Sequence, residues 1–328
     1  MLDDVSLIAL LVAMGLYAAA FIAFALDLAR RSALVADAAT ARQPSAVGAT
    51  AARRGGTATL EREPASSGPD APVAAGRSIS LNVAMVLLVV GFVAHAVATV
   101  LRGLAASRVP WANMYEFAMT GTLLILSVYL IVLTRRDLRF LGTFVTGLIL
   151  ILLGIAVVQY RVEVSPLPPS LQSYWLVIHV FVAALGTGFF ALAFALSGVQ
   201  LLQFRRESLA ADAQAVKMRF LATLPDSVTL ESMAYRLNIV GFIFWTFTLM
   251  AGAIWAERAW GRYWGWDTKE VWTFIIWVLY AGYIHARATR GWRGSRSAWL
   301  AIIGFSAVMF NFGVVNVFFK GLHTYSGL

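Results

Sequence analysis

The sequence predicts an all-α, polytopic membrane protein of about eight transmembrane helices, and three observations carry that expectation. Of 328 residues, 60% are hydrophobic and only 13% are charged, against averages of about 45–50% and about 25% in soluble domains. The mean hydropathy is +0.75. The apolar residues also collect into runs near the ~20 residues that cross a hydrocarbon core. A water-soluble fold, a disordered chain and a disulfide-rich module are thereby excluded. Cysteine is absent, which removes a thiol nucleophile, a disulfide, a thiolate ligand and a CxxC redox pair. Any sulfur chemistry must come from a partner.

The expected spans, in order, are Val5–Leu26, Ile79–Leu101, Met114–Leu133, Phe140–Val158, Tyr174–Leu202, Leu237–Trp255, Val271–Ala286 and Ala298–Phe319. Each is an apolar stretch bounded by charges, Pro or Gly. The first opens on Asp3 and Asp4 rather than on basic residues and shows no clear cleavage pattern before Arg30 and Arg31. It reads as a span and not as a signal peptide. Segments 27–78, 134–139, 203–236 and 287–297 hold 19 of the 26 Lys and Arg. The positive-inside rule assigns these segments to the cytoplasm and both termini to the outer side. The net charge of +9 is accounted for in this way and needs no nucleic acid.

Three parts follow: residues 1–28 as a first transmembrane helix, 29–78 as a linker, and 79–328 as a helical bundle. The linker is rich in Ala, Arg, Gly, Ser and Pro and poor in large apolar residues, a composition expected to stay disordered. The stretch 204–236 is more mixed and could form an amphipathic surface helix. The lack of internal repeats argues against a transporter built from inverted halves.

The outer loop 255–270 is the most unusual passage. Between Trp255 and Trp277 lie six of the eleven Trp, four of them within the first twelve residues. An aromatic belt accounts for one or two Trp at a helix end, but not for this density among Gly, Arg258, Arg262 and Lys269. Flat π-faces, indole N–H donors and cations on one short loop suit a large planar anion, with aromatics on its face and basic residues at its edge. Asp267 and Glu270 read as a capping box opening the next helix, with Asp267 at the N-cap and Glu270 at N3.

This passage resembles the tryptophan-rich "WWD" signature of haem-handling proteins: Trp260-Gly-Arg-Tyr-Trp264-Gly-Trp266-Asp267-Thr-Lys269-Glu270, then Tyr280, Tyr283, His285 and Arg287. With the segment Arg108-Val-Pro110-Trp-Ala-Asn113-Met-Tyr115-Glu116 and the histidine positions, residues from about Ile79 onward resemble the CcsA (ResC) family, a subunit of the System II cytochrome c synthase. Thr268 stands where that family usually has Pro. Pro at N1 pre-sets the first helical turn, and Thr fits there without a clash.

The chain has four histidines: His95, His179, His285 and His323. All fall in or at the end of spans, where a histidine is costly and usually faces the interior or a functional path. An interhelical hydrogen bond is the competing reading for each. His179 and His323 fall at the level of the Trp-rich loop. His95 and His285 fall deeper, about 18 Å and about 22 Å from the outer helix ends at 1.5 Å per residue, so they could ligate one metal between spans two and seven. The small neighbours Gly91, Ala98, Gly282 and Ala288 leave room for a flat ring, and equally for plain helix packing.

The resemblance implies that His179 and His323 bracket haem b at the loop, and that His95 and His285 form the membrane pair. It implies that Trp260, Trp264, Trp266 and Asp267 present the haem, with Arg258, Arg262 and Lys269 as candidates for its propionates. It also implies a CcsB (ResB)-type membrane subunit, apocytochrome c and an extracytoplasmic thiol-reducing protein as partners, in the cytoplasmic membrane. The reaction would join haem vinyl groups to the thiols of a CxxCH segment. Two alternatives use the same features: a haem exporter without synthase activity, and a di-haem b-type electron-transfer protein.

Overall fold

A computed structural model describes residues 1–41, 78–167, 171–209, 220–289, 291–319 and 321–323. Eight long helices appear in chain order: α1 (Leu2–Ala41), α2 (Ile79–Ala106), α3 (Met114–Leu133), α4 (Gly142–Gln159), α5 (Tyr174–Ser208), α6 (Ser227–Trp260), α7 (Thr268–Thr289) and α8 (Ser295–Phe310). No strand occurs among the described residues. All but α7 are long and apolar enough to cross a membrane, α8 doing so together with the turns that prolong it to Phe318. This is an all-α, multi-pass membrane protein. At 22 residues α7 is about 33 Å long, but Lys269, Glu270, His285 and Arg287 dilute its apolar character.

Several helices outrun the apolar runs that seed them. The first continues through Arg30 and Arg31 to Ala41, so residues 29–41 of the expected linker are helical. Alanine is the best helix former, and this stretch is rich in it. The rest of the expected linker, 42–77, lies outside the described residues. The mixed stretch 204–236 belongs largely to the ends of α5 and α6, with 210–219 outside the described residues. At the other end α6 runs to Trp260, where Gly261 adopts a left-handed φ of 70° and stops it in the way such residues commonly do. Trp255 and Trp260 therefore stand on a helix, and the loop proper is 261–267.

Helix α5 forms the centre, packed on α6, α3 and α8. Its buried face is built from small residues, including Gly186, Gly188, Ala191, Ala193 and Ala195, which let helices approach closely. A Cβ at Gly186 would lie 3.3 Å from the Gly241 carbonyl oxygen of α6. The first two helices pair with each other, α1 then resting on α4 and α2 on α3. At the far side α7 packs on α8 and α6, with Tyr280 stacked on Phe190 at 3.6 Å between ring centres. One ion pair ties the ends of α6, α7 and α8. Glu231 accepts from Arg287 Nε (3.0 Å) and from the Gly294 amide (2.8 Å), while the Arg287 guanidinium lies over the Tyr235 ring.

Candidate functional site

Where α3 and α5 begin and α6 ends, the helices leave a largely apolar cavity of about 240 Å³. Both histidines assigned to the loop level line it. His179 stands in the second turn of α5, and its Nδ1 lies 3.0 Å from the Thr248 carbonyl oxygen of α6. That helix is shaped for the ring: a Cβ at Gly252 would come within 2.7 Å of His179 Cε1 and 2.9 Å of Nδ1. His323 lies in the turn at 321–323, beyond the π-helical and helical turns that prolong α8 to Phe318, and its Nδ1 lies 2.7 Å from Asp267 Oδ2. In both rings Nδ1 faces an acceptor oxygen and so carries a hydrogen; in the neutral imidazole the lone pair then lies on Nε2. Neither Nε2 makes a hydrogen bond among the described residues.

Aromatic rings fill the space around the pair. Trp255, 2% exposed, touches both imidazoles: it stacks on His179 at 5.8 Å and meets His323 edge-on at 5.3 Å. Trp260 supports His323 at 4.8 Å and abuts Trp255. Trp264 lines the cavity and packs edge-on against Trp266. Trp266 itself is 78% exposed, and its φ of 59° is unusual for a bulky residue. The loop thus sends one indole inward and one outward.

The loop is held by the two acids. Glu270 Oε2 accepts from the Gly265 amide (2.7 Å) and the Asp267 amide (3.1 Å), which is the reach-back half of the expected capping box. The other half differs. Asp267 accepts from the Lys269 amide (3.3 Å) and spends its remaining capacity on His323 and on the Leu322 amide (3.0 Å). The hydrogen bond from His323 holds the Asp267 carboxyl below the usual carboxylate range, against the opposing effect of burial. Asp267 is therefore the orienter of His323 as well as a cap.

Of the three candidate cations, Lys269 lines the cavity. Its Nζ donates to the Asn311 carbonyl oxygen at 2.7 Å, which is accessible because α8 loosens into a π-helical turn over Asn311–Val315. Such turns recur at functional sites. Arg258 is exposed and lies over the Tyr174 ring. Arg262 folds over Gly265, where a side chain would collide with its guanidinium.

The deeper histidines are not brought together. His95 is fully buried, with Nδ1 3.2 Å from the Tyr17 hydroxyl and Nε2 3.0 Å from the Met119 carbonyl oxygen. His285 is exposed on α7. Their depths agree, but depth along a helix says nothing about which neighbours flank it. Here α2 packs on α1 and α3, and α7 on α8 and α6.

Sequence reasoning did not single out Gly252, Thr248 or Asn311, whose roles depend on contacts across helices. The segment 108–116 does contribute directly. Trp111, Asn113 and Met114 line the cavity, Asn113 caps α3 by accepting from the Glu116 amide (2.9 Å), and Glu116 is wholly buried among arginines.

Residues 111–323, which contain the whole cavity, match the family described as Cytochrome C assembly protein. Curated relatives named "Cytochrome c biogenesis protein CcsA" align over most of their length. The Heterosigma akashiwo protein is 33% identical over 248 residues, covering 67% of this chain and 77% of that one. The Guillardia theta protein is 35% identical over 245 residues (69% and 80%), and the Prochlorococcus marinus protein 30% identical over 271 (76% and 86%). On this match and on the likeness to these relatives, the chain belongs to the CcsA family of cytochrome c biogenesis proteins.

Proposed function

We propose that the chain is the haem-presenting subunit of a cytochrome c synthase. In this reading it lies in the cytoplasmic membrane with the Trp-rich loop and both termini outside. Haem b is its substrate, and a CcsB (ResB)-type subunit completes it. Apocytochrome c, kept reduced by an extracytoplasmic thiol-reducing protein, supplies the two thiols. One observation carries the reading: His179 and His323, 144 positions apart in the sequence, meet at one apolar cavity with Nδ1 engaged and Nε2 available. Histidines that hold iron commonly carry such an outer hydrogen bond, to a backbone carbonyl or a carboxylate, which fixes the tautomer. Two axial imidazoles satisfy a six-coordinate haem.

The residues divide the work. His179 and His323 hold the iron from separate elements until the substrate's own histidine replaces one of them. Trp264 and its neighbours present an apolar wall to the porphyrin face, and Lys269 offers a cation to a propionate. Trp255 touches both imidazoles, so its indole has to yield for one iron to take both. The chain contributes position and orientation more than acid–base chemistry. His95 and His285 serve as a deeper pair only in a state where α2 and α7 meet and His95 gives up Tyr17 or Met119.

Purified protein, with its haem spectrum recorded for wild type and for each His→Ala variant, tests this. His179→Ala and His323→Ala are expected to deplete the outer haem, with partial rescue by imidazole. His95→Ala and His285→Ala are expected to lower total haem. Unchanged haem content in all four would overturn the proposal. Thioether formation on apocytochrome by the reconstituted pair separates a synthase from a haem exporter.

A further inference from the structure

A second hollow, of about 250 Å³, lies at the opposite end of the bundle from the indole cavity, between the end of α3 and the first turns of α6. Val132, Leu138, Met233 and Leu237 give it an apolar floor, and Thr229, Ser232 and the arginines Arg136 and Arg236 complete its lining. The two arginines share a level. Arg136 follows within three residues the apolar run that ends at Leu133, and Arg236 immediately precedes the run that starts at Leu237. This is the height at which hydrocarbon gives way to headgroups, at the end where the charge count places the cytoplasm.

Both guanidiniums are exposed and make no ion pair or side-chain hydrogen bond among the described residues. The carboxylates nearby do not neutralise them. Asp137 is held by Arg139 at 2.6 and 2.8 Å. Asp226 caps α6, accepting from the Thr229 amide (2.8 Å) and hydroxyl (2.9 Å). Glu231 is taken by Arg287.

We propose that this hollow binds the phosphate of an anionic phospholipid, with an acyl chain against the apolar floor. Paired arginines match phosphate oxygens, and basic pockets between spanning helices on the cytoplasmic side hold anionic headgroups. A free phosphate has no use for the floor. A haem carries carboxylates but would find no histidine here. The site is independent of the haem reading above.

The test is lipid retention by the full-length protein, followed by native mass spectrometry after delipidation and titration with phosphatidylglycerol or phosphatidylcholine. Saturable retention of phosphatidylglycerol over phosphatidylcholine is expected. In Arg136→Gln/Arg236→Gln it should weaken about thirty-fold, from the usual contribution of each basic residue near a headgroup. Arg135→Gln, a neighbouring charge outside the hollow, should leave retention intact. Met233→Trp, which fills the floor and keeps both arginines, should lower it. Equal retention by wild type and the double variant would overturn the proposal. So would an equal loss in Arg135→Gln, which means a diffuse positive field. Displacement by inorganic phosphate at equal concentration, or preferential saturation by haem, would overturn it as well.

Discussion

Each imidazole in the indole cavity is aimed by a bond on its far side. For His179 that bond is to a carbonyl oxygen of α6, and it exists only because residue 252 has no side chain. A methyl placed there would press on Cε1 and Nδ1 together. Relief requires rotating the ring, which breaks the bond to Thr248, or separating α5 from α6. Overpacking of this kind costs typically about 1–3 kcal/mol, which corresponds to haem binding roughly five- to a hundred-fold weaker. We expect Gly252→Ala to approach the haem content of His179→Ala, with helicity by circular dichroism unchanged. The double variant should be no worse than His179→Ala. A Gly252→Ala protein with full haem content would show that the ring's position does not matter.

At the scale of elements, the loop 261–267 is held by one side chain of the helix that follows it. Glu270 Oε2 takes two loop amides, and hydrogen bonds to a charged group contribute about 1.5–3 kcal/mol each. Glu270→Ala is expected to speed hydrogen–deuterium exchange at the Gly265 and Asp267 amides by about ten- to a hundred-fold, with the core of α5 unchanged. Protection equal to wild type would mean that the loop holds itself. The Asp267–Glu270 pairing was legible in the sequence because a capping box is a local pattern, three residues apart. Asp267's stronger commitment to His323 was not, since 56 residues separate them and only folding brings them together. Helix ends behaved similarly. Hydropathy located the apolar cores of the spans, but α1 and α6 continue past them because helix propensity does not stop at the hydrocarbon edge. The order of the spans places His179 and His323 at the level of the loop, and both line the cavity. Depth along the helices matches His95 with His285, but α2 packs on α1 and α3 while α7 packs on α8 and α6.

The whole molecule is joined at its loop end by buried charge. Arg102, fully buried, donates to Asp3 of α1 (2.5 Å), Glu116 of α3 (3.0 Å) and the Val162 carbonyl oxygen after α4 (2.9 Å). Glu116, also fully buried, further accepts from Arg108 (2.6 Å) and the Ala112 amide (3.0 Å). Five parts of the chain meet there, and Trp111, Asn113 and Met114 carry the connection into the cavity wall. Leaving a charge wholly unpaired away from water typically costs about 3–5 kcal/mol, whereas replacing a pair by apolar residues of similar volume is often neutral; here each buried member keeps a second partner when one is removed. Asp3 and Arg108 are partly exposed, at 27% and 10%, so each can turn to water when its partner is gone. Arg102 and Glu116 cannot. Without Glu116, Arg102 keeps Asp3 and the Val162 carbonyl oxygen, so Glu116→Leu is expected to lower stability in detergent by less than the ~3–5 kcal/mol of an unpaired charge, and Arg102→Met/Glu116→Leu to recover a large part of that loss. Thermal unfolding of both single variants and the double measures the coupling. If the two single losses simply add, the cluster is not acting as a unit, and the link it provides between α1, α2, α3 and the cavity wall is of no energetic consequence.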